Sequence, residues 1–266
     1  MNQYWHWQTW QNFSYLTCDL LANWQHGFFT QDFYPRTPEV LTSILHPQSA
    51  AYRVKQVHGN IVLTPQEITE NIATVKERDN KLQKLAEADA VISDRPNRSV
   101  WAASADCTPV LIGDLKTGQV CAIHAGWRGT TRKIVVQAIS RFAEFGSKIE
   151  NLRVGIGPAI SGAMYQVDKS VAIEVGRSIL TSDDLTDETV LNRLTNLPHL
   201  AVLEDELPGK VRLNVPRVNQ IQLEQLGLDS AHIAIAPYCT FKRNEKFFSY
   251  RRTGEKKVQW SGIVSR

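Results

Sequence analysis

The stretch from 104 to 131, SADCTPVLIGDLKTGQVCAIHAGWRGTT, constrains the fold more than any other part of this chain. Two apolar runs, 110–114 and 119–125, are joined by Leu-Lys-Thr-Gly at 115–118, the pattern of a β-hairpin. With a four-residue loop, Asp114 faces Gln119 and Pro109 faces His124. Side chains alternate between the faces of a strand, so Cys107, Pro109, His124 and Gly126 share one face. Cys107 then lies diagonal to His124, with Cβ atoms about 7–8 Å apart or somewhat less. A slip of one residue would send the two to opposite faces. After the hairpin, a Gly-flanked turn carrying Arg128 leads into TTRKIVVQAISRFAEFG (130–146). Its apolar residues recur at helical spacing, and Gly146 is a stop signal.

The remaining pattern mixes both kinds of element. The first fifty residues read as β-rich, with short apolar runs between turn signals. RVKQVHGNIVLT (53–64) alternates and is rich in Val and Ile, which predicts a strand with Gly59 as a turn or bulge. TENIATVKERDNKLQKLAEA (69–88) predicts an exposed helix or ordered insertion. ADAVIS (88–93) and SVWAASA (99–105) read as strands, and NLRVGIGPAIS (151–161) as a buried strand running into a Gly-Pro turn. Residues 168–181 suggest a helix, 182–200 are polar and loosely patterned, and 218–228 form an amphipathic helix ending at Gly227. Residues 232–239 and 246–254 read as strands. Helices and strands intermix without strict βαβ alternation. The expected class is α+β, with mixed β-sheets layered against helices.

A chain of 266 residues suffices for a substantial core. A net charge of +3, with no basic stripe, argues against a nucleic-acid partner. The N-terminus lacks a positive segment followed by an apolar run, and no run reaches the length of a membrane span. A cytoplasmic protein without a membrane partner is the expectation. The cysteines at 18, 107, 121 and 239 form no CxxC pair, so free thiols or a ligand are expected rather than disulfides.

If the strand carrying His58 neighbours the hairpin, then His58, Cys107 and His124 form a set of two imidazoles and one thiol. Such donors suit zinc or copper. Three protein ligands leave a position open, the catalytic pattern, and an open zinc lowers the pKa of bound water to about 7. The spacings match no compact zinc signature. Two other readings therefore stand beside the metal. Cys107 could act as a thiolate nucleophile with a histidine base, or these side chains could simply be buried and satisfied.

HAGWRGTT (124–131) offers Arg128 and the backbone N–H groups of a helix start to an anion such as phosphate. GIGPAISG (155–162) is a second Gly-rich turn, but it is neither GxGxxG nor a Walker loop. In FFSYRRTG (247–254), strand alternation would put Tyr250 and Arg252 on one face and Ser249 and Arg251 on the other. One arginine would then face a pocket, or the strand would be a solvent-facing edge. The seven histidines include no His-x-His pair, so a trinuclear copper site is a poor fit.

QVHGNIV, ADAVIS, SADCTPVLIGD, AIHAGWRGT, VGIGPAIS and CTF…FFSYRRTG occur in this order. Together they resemble the YfiH family, the laccase-domain or multicopper polyphenol oxidase-like family also described as purine nucleoside phosphorylases. The similarity runs from about residue 24 to the C-terminus, and residues 1–23 match weakly. The resemblance implies a single domain over 1–266 with a distant likeness to cysteine-hydrolase folds. It implies His58, Cys107 and His124 as metal ligands and catalytic residues, with zinc as the usual metal and copper in the older laccase description. The implied activities are phosphorolysis of adenosine, inosine and methylthioadenosine, and deamination of adenosine. The implied partners are purine nucleosides and phosphate, in a monomer or homodimer. Arg128 and Arg251 are the candidates for phosphate or substrate contact. Asp106 should point away from Cys107 on a regular strand, which leaves it an orienting role. Three positions depart from the family pattern. Gln31 stands where a basic residue is usual, Gln166 where a carboxylate is, and Asn214 where Asp is common. They motivate a rival reading, a non-catalytic metal- or partner-binding protein with a decayed site. The same residues also admit a single-metal laccase-like oxidase or a cysteine hydrolase.

Overall fold

The computed structural model describes residues 4–79, 85–180, 185–197 and 201–266, and its centre is the hairpin. Thr108–Asp114 pairs antiparallel with Val120–Ala125, Pro109 lies opposite His124, and Asp114 N–H donates to the Gln119 carbonyl. Both strands are buried on both faces, which explains why they read as nearly continuous apolar runs.

The hairpin is the middle of a mixed sheet with the spatial order Ile233–Ile235, Leu152–Ile156, Thr108–Asp114, Val120–Ala125, Ala90–Ile92 and Val62–Leu63. A second mixed sheet runs Trp5–Trp10, Phe13–Cys18, His26–Phe29, Gln259–Val264, Arg98–Ser104 and Ala50–Tyr52. The two sheets pack face to face. Leu111, Val120, Ala122 and Val91 from the hairpin sheet meet Leu16, Phe28, Val100, Ala102 and Ile263 from the other. On the outer face of the hairpin sheet, Val110, Ile112, Cys121 and Ile123 pack on Ile134, Val135, Ala138 and Phe142 of the helix Ile134–Glu144. On the far side, Phe29, Trp101 and Val264 pack on Phe33 and on Leu41 and Leu45 of the helix Pro38–Leu45. The result is helix, sheet, sheet, helix. Each fully buried Leu, Ile or Phe contributes about 1.5–3 kcal/mol to holding the layers together. A third, small sheet, Gln166–Asp168, Lys210–Leu213 and Val202–Glu204, packs with the helices Lys169–Arg177 and Asp187–Thr195.

The expected α+β class holds, with local corrections. Residues 53–61 are not a strand. They run irregularly past an isolated bridge from Lys55 to Glu87, and only Val62–Leu63 pairs in a sheet. His58 therefore sits in a turn, at φ 60°. The helix expected over 69–88 starts earlier, at Pro65, and extends to Asp79. Positions 80–84 of that expectation lie outside the described residues, as do 181, the last position of the helix expected over 168–181 and observed as Lys169–Arg177, and 182–184 and 198–200 of the loosely patterned stretch. That stretch contains the helix Asp187–Thr195, started by Thr186 Oγ1 accepting from Thr189 N–H. The expected helix 130–146 is two, Trp127–Thr131 and Ile134–Glu144, broken at Lys133 with φ 58°. Residues 246–254 are not a strand either. Tyr250–Thr253 is a helical turn, because Ser249 Oγ accepts from Arg252 N–H and starts it. The weakly matched N-terminal stretch is integral, since Trp5–Trp10 and Phe13–Cys18 form one edge of the second sheet. No described helix is long and apolar enough to cross a membrane.

Candidate metal centre

Cys107 sits one residue before its strand, and His124 lies near the end of the paired strand. The pleat that turns Leu111 and Ala122 toward the opposing sheet also turns Cys107 and His124 that way. His124 is buried and Cys107 half-buried. His58 arrives from its turn with Nε2 4.0 Å from Cys107 Sγ. The donor atoms of His58, Cys107 and His124 lie within 4.8 Å of one another, close enough to reach a single cation. Among the described residues, these three form the one cluster of His, Cys, Asp or Glu donors that converges in this way.

The turn at His58 is built by a residue the sequence reading did not single out. Asp89, at the head of Ala90–Ile92, is buried. Its carboxylate accepts from the backbone N–H groups of His58 (2.9 Å), Gly59 (2.6 Å) and Val57 (3.3 Å). It also accepts from His124 Nδ1 at 2.9 Å, and the Asp89 carbonyl accepts from His124 N–H. One carboxylate thus holds the left-handed backbone of His58 and the ring of His124. A carboxylate only accepts, so His124 Nδ1 carries a proton, and the other ring nitrogen, Nε2, is the one on the side of Cys107. The available signal was an acid between alanines at the start of an apolar strand, because a buried acid needs partners.

Two glycines of HAGWRGTT make room for this approach. A methyl group at Gly126 would lie 3.0 Å from Cys107 Sγ and 3.1 Å from His58 Cδ2. One at Gly129 would lie 2.9 Å from the Gly59 carbonyl oxygen. Charge follows the geometry. Burial alone would push the Cys107 thiol up, but hydrogen bonds and charge from His124 and His58 outweigh it and bring the thiol well below its ordinary value. Burial would lower His124, but Asp89 and Cys107 outweigh it and raise the imidazole.

Behind Cys107 lies a cavity of about 40 Å³, lined in part by Thr108, Trp127, Ile160 and Tyr165. Burial, and then the nearby Cys107 charge, push the Tyr165 hydroxyl up to about 12. The Arg251 guanidinium lies 4.8 Å over the Tyr165 ring, and that of Arg128 lies 4.4 Å over Trp127. Both arginines are exposed, and each lies over a ring that lines this cavity. Arg252 does something else. It donates to the carbonyls of Thr240, Phe241 and Phe247 and holds the C-terminal turn together. The helical turn, rather than strand alternation, separates these neighbours. The three departures from the family pattern each have structural partners. Gln31 Nε2 donates to the Asn244 carbonyl, Gln166 Nε2 donates to Asp205, and Asn214 starts the helix Val215–Gln225 by accepting from Arg217 N–H.

The family described as multi-copper polyphenol oxidoreductase laccase matches residues 37–265. The chain belongs to this family. Beside this laccase-family chain stands a purine nucleoside phosphorylase from Synechocystis sp., 52% identical over 262 residues, or 98% of this chain and 97% of that protein. A more distant relative, adenosine deaminase RL5 from an unknown prokaryotic organism, is 23% identical over 201 residues, covering 73% and 71% of the two chains. YlmD from Geobacillus stearothermophilus superposes with a TM-score of 0.77 over 98% of each chain at 23% identity. YfiH from Bacillus licheniformis does so with 0.71 over 95% and 96%, also at 23% identity. These two structures establish the fold alone, and it is the fold that the YfiH-like motifs implied.

Proposed function

We propose that this chain is a zinc-dependent purine nucleoside phosphorylase that also deaminates adenosine. The observation that carries the reading is the convergence of His58, Cys107 and His124 on one point. The relative named purine nucleoside phosphorylase, at 52% identity over nearly the whole chain, supplies the reaction class. Deamination rests on the distant relative named for it.

The donor set fits zinc. Two imidazole nitrogens and a thiolate are its usual protein ligands, and the second nitrogen of His124 is held by a carboxylate, as ligating histidines require. Zinc held by three protein groups supplies a Lewis acid and an activated water at neutral pH. A single cluster among the described residues supports one metal ion rather than a multicopper centre. Cys107 gives the thiolate, and Asp89 fixes both histidines in place before substrate arrives. Arg128 and Arg251 supply positive charge at the mouth, where phosphate must sit beside the sugar.

Purified protein incubated with adenosine and phosphate tests this directly. The products are followed by chromatography and the metal by emission spectrometry. The expected result is one zinc per chain, adenine and ribose 1-phosphate in the presence of phosphate, and inosine without it. Cys107→Ala loses the metal and both activities. Activity that survives exhaustive chelation but disappears in Cys107→Ala would replace zinc with a cysteine nucleophile. No product from any purine nucleoside would overturn the enzyme reading.

A further inference from the structure

We infer that Asp106 is a positioning residue that sets Arg251 for phosphate and ties it to the Cys107 end of the hairpin. The identity of the anion rests on the phosphorylase reading above. Asp106 is buried and immediately precedes Cys107, with φ at 88°, a region that side-chain-bearing residues seldom occupy. Such a conformation persists only where the surroundings over-determine it. Here they do. The carboxylate accepts from Thr240 Oγ1 at 2.6 Å, from Ser249 Oγ at 3.0 Å and from Arg251 N–H at 2.7 Å, and the Asp106 carbonyl accepts from Ile160 N–H at 3.0 Å.

These bonds gather four separate segments at one residue: the hairpin end, the turn after Gly157-Pro158, the stretch after Ile233–Ile235 that carries Thr240, and the C-terminal turn Tyr250–Thr253. The bond to Arg251 N–H matters most, because it fixes the start of that turn relative to Cys107. From there the Arg251 side chain reaches over Tyr165, which lines the cavity behind Cys107, and Nη1 donates to the Gln166 carbonyl. A cation already in place when phosphate arrives costs no reorganisation at that moment. The Asp106 carboxylate is itself occupied by protein donors, so it acts through Arg251 and does not touch substrate.

Calorimetric titration of inorganic phosphate into the zinc-loaded protein tests the inference, using wild type, Asp106→Ala, Asp106→Asn, Arg251→Ala and the Asp106→Ala/Arg251→Ala double variant. Asp106→Ala is expected to weaken phosphate about tenfold, which is about 1.4 kcal/mol. The double variant is expected to bind no more weakly than Arg251→Ala alone, the non-additivity of two residues acting as one. Asp106→Asn retains most of the affinity, because its amide oxygen accepts from Arg251 N–H while its nitrogen donates to Thr240 Oγ1. Additive losses, unchanged binding in Asp106→Ala, or a wild type that binds no phosphate would each overturn the inference. If Asp106→Ala does not fold, Ser249→Ala removes one donor from the same carboxylate and carries the same cycle with Arg251→Ala. A wild type that shows this coupling yet converts no nucleoside would overturn the phosphorylase reading and leave the positioning role standing.

Discussion

Asp89→Asn tests whether one buried carboxylate builds both imidazole positions. The change keeps the shape of the side chain but replaces one acceptor oxygen with a donor. In the native protein Oδ1 takes His58 N–H and His124 Nδ1, both at 2.9 Å, and Oδ2 takes Gly59 N–H at 2.6 Å. An amide nitrogen in place of Oδ2 would point a donor at Gly59 N–H and at Val57 N–H, which reaches the same oxygen at 3.3 Å. In place of Oδ1 it would oppose two donors. A hydrogen bond to a charged acceptor contributes about 1.5–3 kcal/mol, and leaving a buried donor unpaired costs about 1–3 kcal/mol. With two donors stranded in either orientation, the expected loss is about 3–5 kcal/mol, the range for breaking a buried charge pair. A domain with about 5–15 kcal/mol of stability survives this, weakened. Zinc affinity should fall about 10–100-fold, as for other partners that orient a ligating histidine. Urea unfolding of the metal-stripped protein reads the first number, and competition with a chromogenic chelator reads the second.

The same variant carries a pH signature. Burial would raise the Asp89 carboxyl, but His124 and the backbone N–H groups outweigh it and hold it below its usual range. A depressed carboxyl adds stability that is complete above the unfolded value of about 4 and is lost as pH falls through the folded value. The gap between wild type and Asp89→Asn should therefore be widest near neutrality and narrow in acid. A loss below about 1 kcal/mol together with zinc affinity within about twofold of wild type would refute the reasoning, since both magnitudes follow from the same unpaired donors.

Three further outcomes follow from the geometry. Gly126→Ala places a methyl group against Cys107 Sγ and His58 Cδ2, so zinc affinity should fall at least about tenfold while circular dichroism stays native; wild-type affinity would show that the cluster is looser than its distances say. Arg252→Ala removes donors from three carbonyls and should cost about 2–3 kcal/mol in urea unfolding, whereas Arg251→Ala should cost under about 0.5 kcal/mol; the reverse order would exchange their roles. In the metal-stripped protein, iodoacetamide should modify Cys107 with a midpoint well below the ordinary thiol value of about 8.5, and His124→Ala should move the midpoint up. Under the same conditions Cys18 should stay unmodified, because burial pushes its thiol up to about 12.

Much of the site was legible before the fold was known. The pairing of Pro109 with His124 follows from a four-residue loop between two apolar runs, and period-two alternation then places Cys107 and His124 on one face. His58 was found by residue type but misplaced, because Val54, Val57, Ile61 and Val62 imitate a strand. What breaks that strand is the Asp89 carboxylate, about thirty positions away in sequence, collecting three consecutive N–H groups. The C-terminal FFSYRR failed for a similar reason. Its aromatics favour a strand, yet Ser249 and Asp106 bind the first donors of a helical turn. That turn, invisible to any periodicity, decides that Arg251 reaches over Tyr165 while Arg252 turns to the carbonyls of Thr240, Phe241 and Phe247.

By itself the sequence determined the α+β layering, the hairpin register and the identities of three donor side chains. Each of these is a local matter of alternation, loop length and residue chemistry. Only the tertiary structure decided that His58 belongs with the other two, that Asp89 holds its turn, and that Asp106 gathers Ile160, Thr240, Ser249 and Arg251 beside Cys107. The physical reason is that a buried carboxylate must find its donors wherever the fold brings them, and here they come from distant segments whose local pattern does not record the meeting.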